Sequence, residues 1–419
     1  MNYCVLPSIY YNANIHKHIQ LSDKPINDMI NKTLNKYLTI SKEQIDCRIE
    51  QWDKYKKYTN PYEYIHSIIP NTKQAVSSLK PISRSFFKMI EICHSLFIVD
   101  KLPPICKSFH LAEGPGGFIE ALAYMRKNPL DTYYGMTLID EVDHNVPGWR
   151  KSKHFLMNNP NVIIETGIEG NGDITRANNL RYCYDTYKGQ MDLITGDGGF
   201  DFSFHYPQQE QISTKLILCQ VAFAIAMQKT GGTFILKVYD TFTRFTLELL
   251  FLLTNLYEQV CLIKPNTSRY ANSEKYVVCK GFRNINTLEL VKVFHKILHN
   301  VSVQAQASVQ AQASFLGSLF DFELPYIFIN KIEEYNSILG QQQIDNIVST
   351  NYLIDNSNKY DKIENLKKKN VQKCIEWCQK YNIPYNSFIP VNNMFLSSSR
   401  MADTSRMADT RFSISFSKL

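Results

Sequence analysis

The sequence predicts an α/β protein whose core is a doubly wound, mostly parallel sheet of seven strands ending in an antiparallel hairpin. Three observations carry this. Strand-like and helix-like segments alternate between residues 105 and 282, the strand candidates are largely apolar, and the last two leave no room for a helix between them. Apolar strands without a polar face suit a parallel sheet covered by helices on both sides. Two strands joined without a crossover pair antiparallel.

In chain order the strand candidates are 108–112, 133–139, 162–165, 192–195, 233–238, 260–263 and 275–279. Helical spacing is clearest at 118–126, 213–228 and 242–257, and at 86–97 ahead of the sheet. A chain of 419 residues exceeds one minimal domain. It is read as a helical N-terminal extension (1–100), the sheet domain (101–300), a C-terminal accessory region (301–395) and a flexible tail (396–419). Two tandem duplications support the later boundaries: SVQAQA at 302–307 and 308–313, and SRMADT at 399–404 and 405–410. They are too short to build a solenoid and are read as insertions in exposed segments.

Composition narrows the function classes. At 44% hydrophobic and 20% charged residues, wholesale disorder, collagen-like and coiled-coil architectures are excluded. The net charge of +7 suits a phosphate-bearing partner, and equally an ordinary, slightly basic surface. Ten scattered cysteines without a CxxC pair point to a reducing cytoplasm. Cys374 and Cys378, one helical turn apart with no nearby histidine, are read as packing, and no metal is expected. The start, MNYCVLPSIYYN, lacks signal-peptide character, and the most apolar stretch, 247–256, is too short for a bilayer, so no membrane is expected. The terminal Ser417-Lys418-Leu419 matches a peroxisomal address and is read as coincidence. Lys367, Lys368 and Lys369 are read as a solvated helix face.

The chemistry-bearing residues gather at strand ends. The first strand runs into Glu113-Gly114-Pro115-Gly116-Gly117-Phe118 and then a helix, a turn at which backbone can approach a ligand closely. It is neither GxGxxG nor a P-loop, and by itself could be a tight connection. The fourth strand ends in Gly196-Asp197-Gly198-Gly199. The fifth, otherwise apolar, carries Lys237, and lysine is seldom buried without a role. Lys264-Pro265-Asn266-Thr267-Ser268-Arg269 and Asn272-Ser273-Glu274-Lys275-Tyr276 lead into the last strand. Arg84 and Lys88 share a helix face upstream. Singly, each charge has an ordinary structural role. Two lysines and two acids around one glycine-lined crevice suggest proton abstraction from a weakly acidic group, with one ammonium lowering the pKa of the other.

These residues carry a resemblance. The run from Lys88 to Phe282 resembles the FtsJ-like family of S-adenosylmethionine-dependent RNA ribose 2′-O-methyltransferases, and within it the mRNA cap-1 enzymes. AEGPGGF is similar to the family's cofactor loop, GDGGF to its Asp motif, GGTFILKVYD to its Lys motif and KPNTSRYANSEKYVVCKGF to its signature. GNGDITR, Asn60-Pro61-Tyr62-Glu63 and SRSFFKM match further stretches. The resemblance implies a Rossmann-like methyltransferase fold with N- and C-terminal extensions, and a catalytic tetrad of Lys88, Asp197, Lys237 and Glu274. In it Lys237 deprotonates or steers the ribose hydroxyl, Lys88 and Glu274 lower its pKa and aim it, and Asp197 orients it. It also implies S-adenosylmethionine as cofactor, with Gly114, Pro115, Gly116, Gly117 and Phe118 at its methionine end, Asp173 at its adenosine, and Asp197 between.

Asp140 and Glu141 are two unconvincing candidates for an acid on the cofactor ribose. Arg84 and Arg269 are expected to touch RNA. The implied reaction converts cap-0 to cap-1 on capped mRNA. The competing readings are 2′-O-methylation of a non-cap RNA and a catalytically silent RNA-binding scaffold. The duplications and the Asn/Ile/Lys bias resemble proteins of large cytoplasmic DNA viruses, which implies the cytoplasm, a viral factory or a virion as location.

Overall fold

All seven expected strands form, and they lie in one sheet with an eighth. The computed structural model describes residues 3–9, 14–22, 29–140, 142–143, 146–199, 209–307 and 317–386, with backbone alone at 301–307. The N-terminal part holds β1 (Tyr3–Val5), β2 (Ile19–Ser22), α1 (Lys32–Asp46), α2 (Ile49–Thr59) and α3 (Ser85–Ser95). Then follow β3 (Lys107–Leu111), α4 (Gly117–Arg126), β4 (Thr132–Met136), α5 (Lys153–Asn158), β5 (Val162–Glu165), α6 (Ala177–Tyr187) and β6 (Met191–Gly196). Next come α7 (Gln209–Met227), β7 (Gln228–Val238), α8 (Arg244–Leu256), β8 (Tyr257–Ile263) and β9 (Lys275–Phe282). The chain continues through α9 (Leu288–Ala307), β10 (Ser318–Phe320), α10 (Tyr326–Asp355) and α11 (Tyr360–Lys380).

The sheet order is β1-β8-β9-β7-β6-β3-β4-β5. From β7 to β5 all pairings are parallel, whereas β9 runs antiparallel to both β7 and β8. The expected hairpin is therefore present, with its second strand inserted between β7 and β8. The eighth strand corrects the count of seven: β1 adds antiparallel along β8, pairing Tyr3 with Ile263. Three residues with alternating exposure leave no readable pattern in sequence.

Strand ends also moved. Ala112, expected inside β3, has φ +50° and breaks the strand. The candidate 133–139 stops at Met136, because the following backbone bonds to loops: Glu113 N–H donates to the Met136 carbonyl, and Ile139 N–H to that of Asn171. The first SVQAQA copy, expected in a loop, completes α9, as its alanine and glutamine favour. The second copy, the SRMADT pair and the Ser-Lys-Leu terminus lie outside the described residues.

Period-two alternation splits the sheet's side chains between two cores. Phe109, Leu111, Ile194, Phe234 and Leu236 face α6, α7, α8 and α9. Leu193, Ile235, Tyr276 and Val278 face α3, α4 and α11, where Phe86, Phe87, Phe118, Cys374, Trp377 and Cys378 close over them. Helix α7 is apolar and long enough to cross a membrane by composition, but 83% of its apolar stretch is buried inside the fold. A third cluster, built from Trp52, Tyr55, Ile347, Leu353 and Ile363, joins α2 to α10 and α11.

Strand β3 lies between β4 and β6, which leave it in opposite directions along the sheet. That is a topological switch point, and ligands in open α/β sheets bind outside the carboxyl ends of such strands. The segments 112–118 and 197–199 leave the sheet there.

Candidate active site

At the end of β3 the chain turns through Gly114, Pro115 and Gly116 into α4. Gly116 caps the helix with φ +111°, a conformation that L side chains rarely adopt. Glu113 reaches over the turn, and its carboxylate accepts from Phe118 N–H (2.7 Å) and Ile119 N–H (3.1 Å), two otherwise orphaned donors. Burial, reinforced by Asp197, pushes the Glu113 carboxyl up to about 8. Ser152 Oγ donates to the Pro115 carbonyl from the far side. Trp149 packs its ring against Gly116 and Gly135, and its buried Nε1 has no partner among the described residues.

The second segment begins at Asp197, one residue past β6. Gln220 of α7 holds the turn by accepting from Gly198 N–H at 3.1 Å. A Cβ on Gly199 would lie 2.5 Å from the Tyr239 hydroxyl and 3.1 Å from Lys237 Nζ, so only glycine lets this turn close over the lysine. Lys237, on β7, is a cross-strand neighbour of Tyr276 on β9. Its Nζ donates to the Asp197 carbonyl (2.6 Å) and lies 3.3 Å from Asp197 Oδ1. Tyr276 Oη donates to the same carboxylate at 2.9 Å. Helix α3 crosses this face and brings Lys88, whose Nζ stands 2.6 Å from Glu274 Oε1. The structure thus brings all four expected tetrad residues together, as two buried ion pairs.

Their electrostatics correct one expectation. Burial disfavours the Lys237 ammonium, but Asp197, Tyr239 and Glu274 outweigh it and raise its pKa above the ordinary lysine value. The expected lowering by Lys88 does not occur, because the Lys88 charge is spent on Glu274. Against the cost of its own burial, Lys88 and then Lys237 hold the Glu274 carboxyl well below its usual range. Lys237 is therefore a fixed cation between two carboxylates.

The loop 264–274 that delivers Glu274 is strapped down at four points, all missed in the sequence. Lys264 is buried, and its Nζ donates to the Asn272 carbonyl (2.7 Å), Asn272 Oδ1 (2.9 Å) and the Glu274 carbonyl (2.8 Å). Burial lowers its pKa to about 7. Ser268 Oγ donates to Glu274 Oε1 at 2.9 Å. Glu91, one turn after Lys88 on α3, accepts from Asn266 N–H (2.9 Å) and Thr267 N–H (3.0 Å). Glu63 takes the Arg269 guanidinium in a two-pronged pair at 2.9 and 2.7 Å. Arg269, expected at RNA, is thus also a structural anchor. Arg84, half-buried at the start of α3, makes no hydrogen bond or ion pair among the described residues.

The other expected residues lie nearby or outside. Asp173 Oδ1 accepts from Thr175 N–H and Thr175 Oγ1 (both 2.8 Å), and Oδ2 from Arg176 (3.1 Å), so its carboxylate orders the entry to α6. Half-buried Asp140 caps its own turn by accepting from Val142 and Asp143 N–H. Glu141 lies outside the described residues. Cys374 and Cys378 are buried free thiols in the core, as their spacing suggested.

Residues 81–282 match the model of the FtsJ-like methyltransferase family. Cap-specific mRNA (nucleoside-2'-O-)-methyltransferase 1 of Ailuropoda melanoleuca is 34% identical over 232 residues, which is 54% of this chain and 27% of that protein. The Homo sapiens protein of the same name is 33% identical over 242 residues, 56% of this chain and 29% of its own. That of Dictyostelium discoideum is 28% identical over 261 residues, 58% of this chain and 33% of its own. The chain spans about a third or less of the length of these relatives.

Proposed function

We propose that this chain, whose residues 81–282 match the FtsJ-like methyltransferase family, methylates the ribose 2′-hydroxyl of the first transcribed nucleotide of capped mRNA. The observation that carries the reading is the pair of buried ion pairs, Lys237–Asp197 and Lys88–Glu274, at the switch point beside the 113–118 turn. The names of the relatives support the capped substrate.

S-adenosylmethionine, the proposed methyl donor, supplies a methyl group made electrophilic by its sulfonium. The residues present fit such a ligand: Gly116 keeps a side chain out of the turn, and Trp149, whose ring packs on that turn, has an Nε1 donor without a partner among the described residues. Gly114, Pro115, Gly116, Gly117 and Phe118 would hold its methionine end, Asp173 its adenosine end, and Asp197 would separate it from the ribose. Lys237 is held as a cation on a rigid strand, so its first task is to orient the 2′-oxygen for in-line attack by hydrogen bonding. The hydroxyl proton passes to solvent water, because Lys237 is already protonated; the ammonium stabilises the negative charge that develops on the oxygen, and Glu274 and Lys88 keep it aimed. Arg84, and Arg269 beside it, would take the phosphates flanking that ribose. The cytoplasm is the proposed place of action, supported by ten cysteines that are all free thiols.

Methyl transfer from labelled S-adenosylmethionine to matched capped and uncapped RNAs tests this reading. Preference for the capped RNA is expected; equal labelling of both would instead support a non-cap RNA substrate.

A further inference from the structure

Outside the catalytic crevice, α2, α10 and α11 enclose an open groove of about 560 Å³. Its floor is aromatic and apolar, made by Tyr58, Pro61, Leu353 and Leu366, with Val348 and Tyr352 at 54% and 44% exposure. Its rim is basic: Lys362, Lys369 and Lys373 line it, and no carboxylate among the described residues does. Positions 362, 366, 369 and 373 recur at helical spacing, so one face of α11 supplies this whole wall. Lys367, in the same run of lysines, faces away and pairs with Glu364 at 2.6 Å. Lys369 and Lys373 have no hydrogen-bond or ion-pair partner among the described residues, and Lys362 Nζ sits 4.1 Å over the Tyr352 ring.

The groove shares a wall with the catalytic cleft. Asn370 Nδ2 donates to the Tyr58 carbonyl at 2.8 Å, and Asn346 Nδ2 to that of Thr59 at 2.9 Å. The next residue, Asn60, donates through Nδ2 to Glu63 (3.3 Å), which holds Arg269. One segment, 58–63, thus forms the groove on one side and fixes the Arg84–Arg269 edge of the crevice on the other.

We propose that this groove binds the body of the RNA substrate as a single strand, 3′ to the target ribose. The inference rests on the reading that the substrate is RNA modified next to its 5′ end, because such a target has polynucleotide on its 3′ side only. Unneutralised ammoniums around an aromatic floor match the chemistry of single-stranded nucleic acid, with phosphates on the lysines and bases against Tyr58 and Tyr352. An acidic peptide would meet the charges but gain little from the aromatic and apolar floor.

The test compares a capped trinucleotide with a capped RNA of more than about 16 nucleotides, long enough to cover such a site. The double variant Lys369→Glu/Lys373→Glu changes one exposed and one half-buried lysine without a partner among the described residues, and Tyr352→Ala separately changes an exposed ring; both should melt like the unaltered protein. For the long RNA, the double variant should raise KM by about tenfold or more and cut the salt slope of binding by about one to two. For the trinucleotide, kcat and KM should not change. Unchanged KM and salt slope on the long RNA would overturn the proposal, and so would an equal loss on both substrates. Displacement by polyglutamate but not by uncapped RNA would overturn it in favour of a protein partner. If the unaltered protein methylates neither RNA, the crevice reading fails on its own. Fluorescence anisotropy with the long RNA then decides the groove: a lysine-dependent salt slope upholds it and its absence refutes it.

Discussion

Replacing Lys237 by methionine removes one charge while keeping the length of the side chain. Two contacts disappear, the 2.6 Å bond to the Asp197 carbonyl and the 3.3 Å approach to its carboxylate. Asp197 keeps the 2.9 Å bond from Tyr276, so the turn should survive. Hydrogen bonds involving charged groups contribute about 1.5–3 kcal/mol, so the variant should lose stability on that scale and still fold. The sign of the linkage agrees. A lysine with its folded-state pKa raised contributes stability that is fully present below the unfolded value of about 10.4 and lost as pH rises through the folded one. At neutral pH the unaltered protein therefore has the whole contribution and the variant has none. Methyl transfer should fall by a hundredfold or more, about 2.7 kcal/mol in barrier height. The cofactor turn lies on another strand, so calorimetric affinity for S-adenosylhomocysteine should stay within about twofold. Lys237→Arg should fail as well, because a longer, planar guanidinium does not place a single donor where Nζ now sits, 2.6 Å from the Asp197 carbonyl. Single-turnover methyl transfer to capped RNA is the assay. Activity of Lys237→Met within a few-fold of the unaltered protein would refute the steering role.

Gly116→Val forces a branched residue to φ +111°, at a strain of about 1–3 kcal/mol, and should abolish cofactor binding by calorimetry while the protein stays folded. Lys264→Met deletes three hydrogen bonds that hold the Glu274 loop. It should lower kcat by about tenfold or more with KM for the cofactor unchanged; an equal rise in that KM would show a general loss of fold. Arg269 overcomes the cost of burying Glu63 and lowers its carboxyl to about 2. That contribution, about 2–3 kcal/mol, is present above the unfolded pKa of about 4.3 and is lost as pH falls toward 2. Urea melts between pH 5 and 3 should show a shallower acid dependence in Glu63→Gln, and identical slopes would contradict the pairing.

What the sequence disclosed was mostly local. Glycines flanking Asp197, a lysine in an apolar strand and a glycine turn after the first strand are features of single segments, and each is where it was expected. Partners far apart in the chain were hidden, whether a backbone N–H on a carboxylate or an ion pair. Glu91 meets Asn266 across 175 positions and Glu63 meets Arg269 across 206, and no periodicity signals such a contact. The direction of the Lys237 shift was hidden for the same reason, since it depends on which acid Lys88 chooses. Similarly, the lysine run reads as one solvated face until α11 is folded, when Lys367 turns to Glu364 and Lys369 to the groove. The edge strand β1 escaped notice because three residues carry too little pattern.

The most direct test of the central claim is the position of the transferred methyl group. The protein is incubated with methyl-labelled S-adenosylmethionine and cap-0 RNA, the RNA is digested to nucleosides and cap fragments, and the label is located. Label is expected on the 2′-oxygen of the first transcribed nucleotide, and it should be lost in Lys237→Met. Label on the cap guanine base, on an internal nucleotide, or on nothing at all would contradict it.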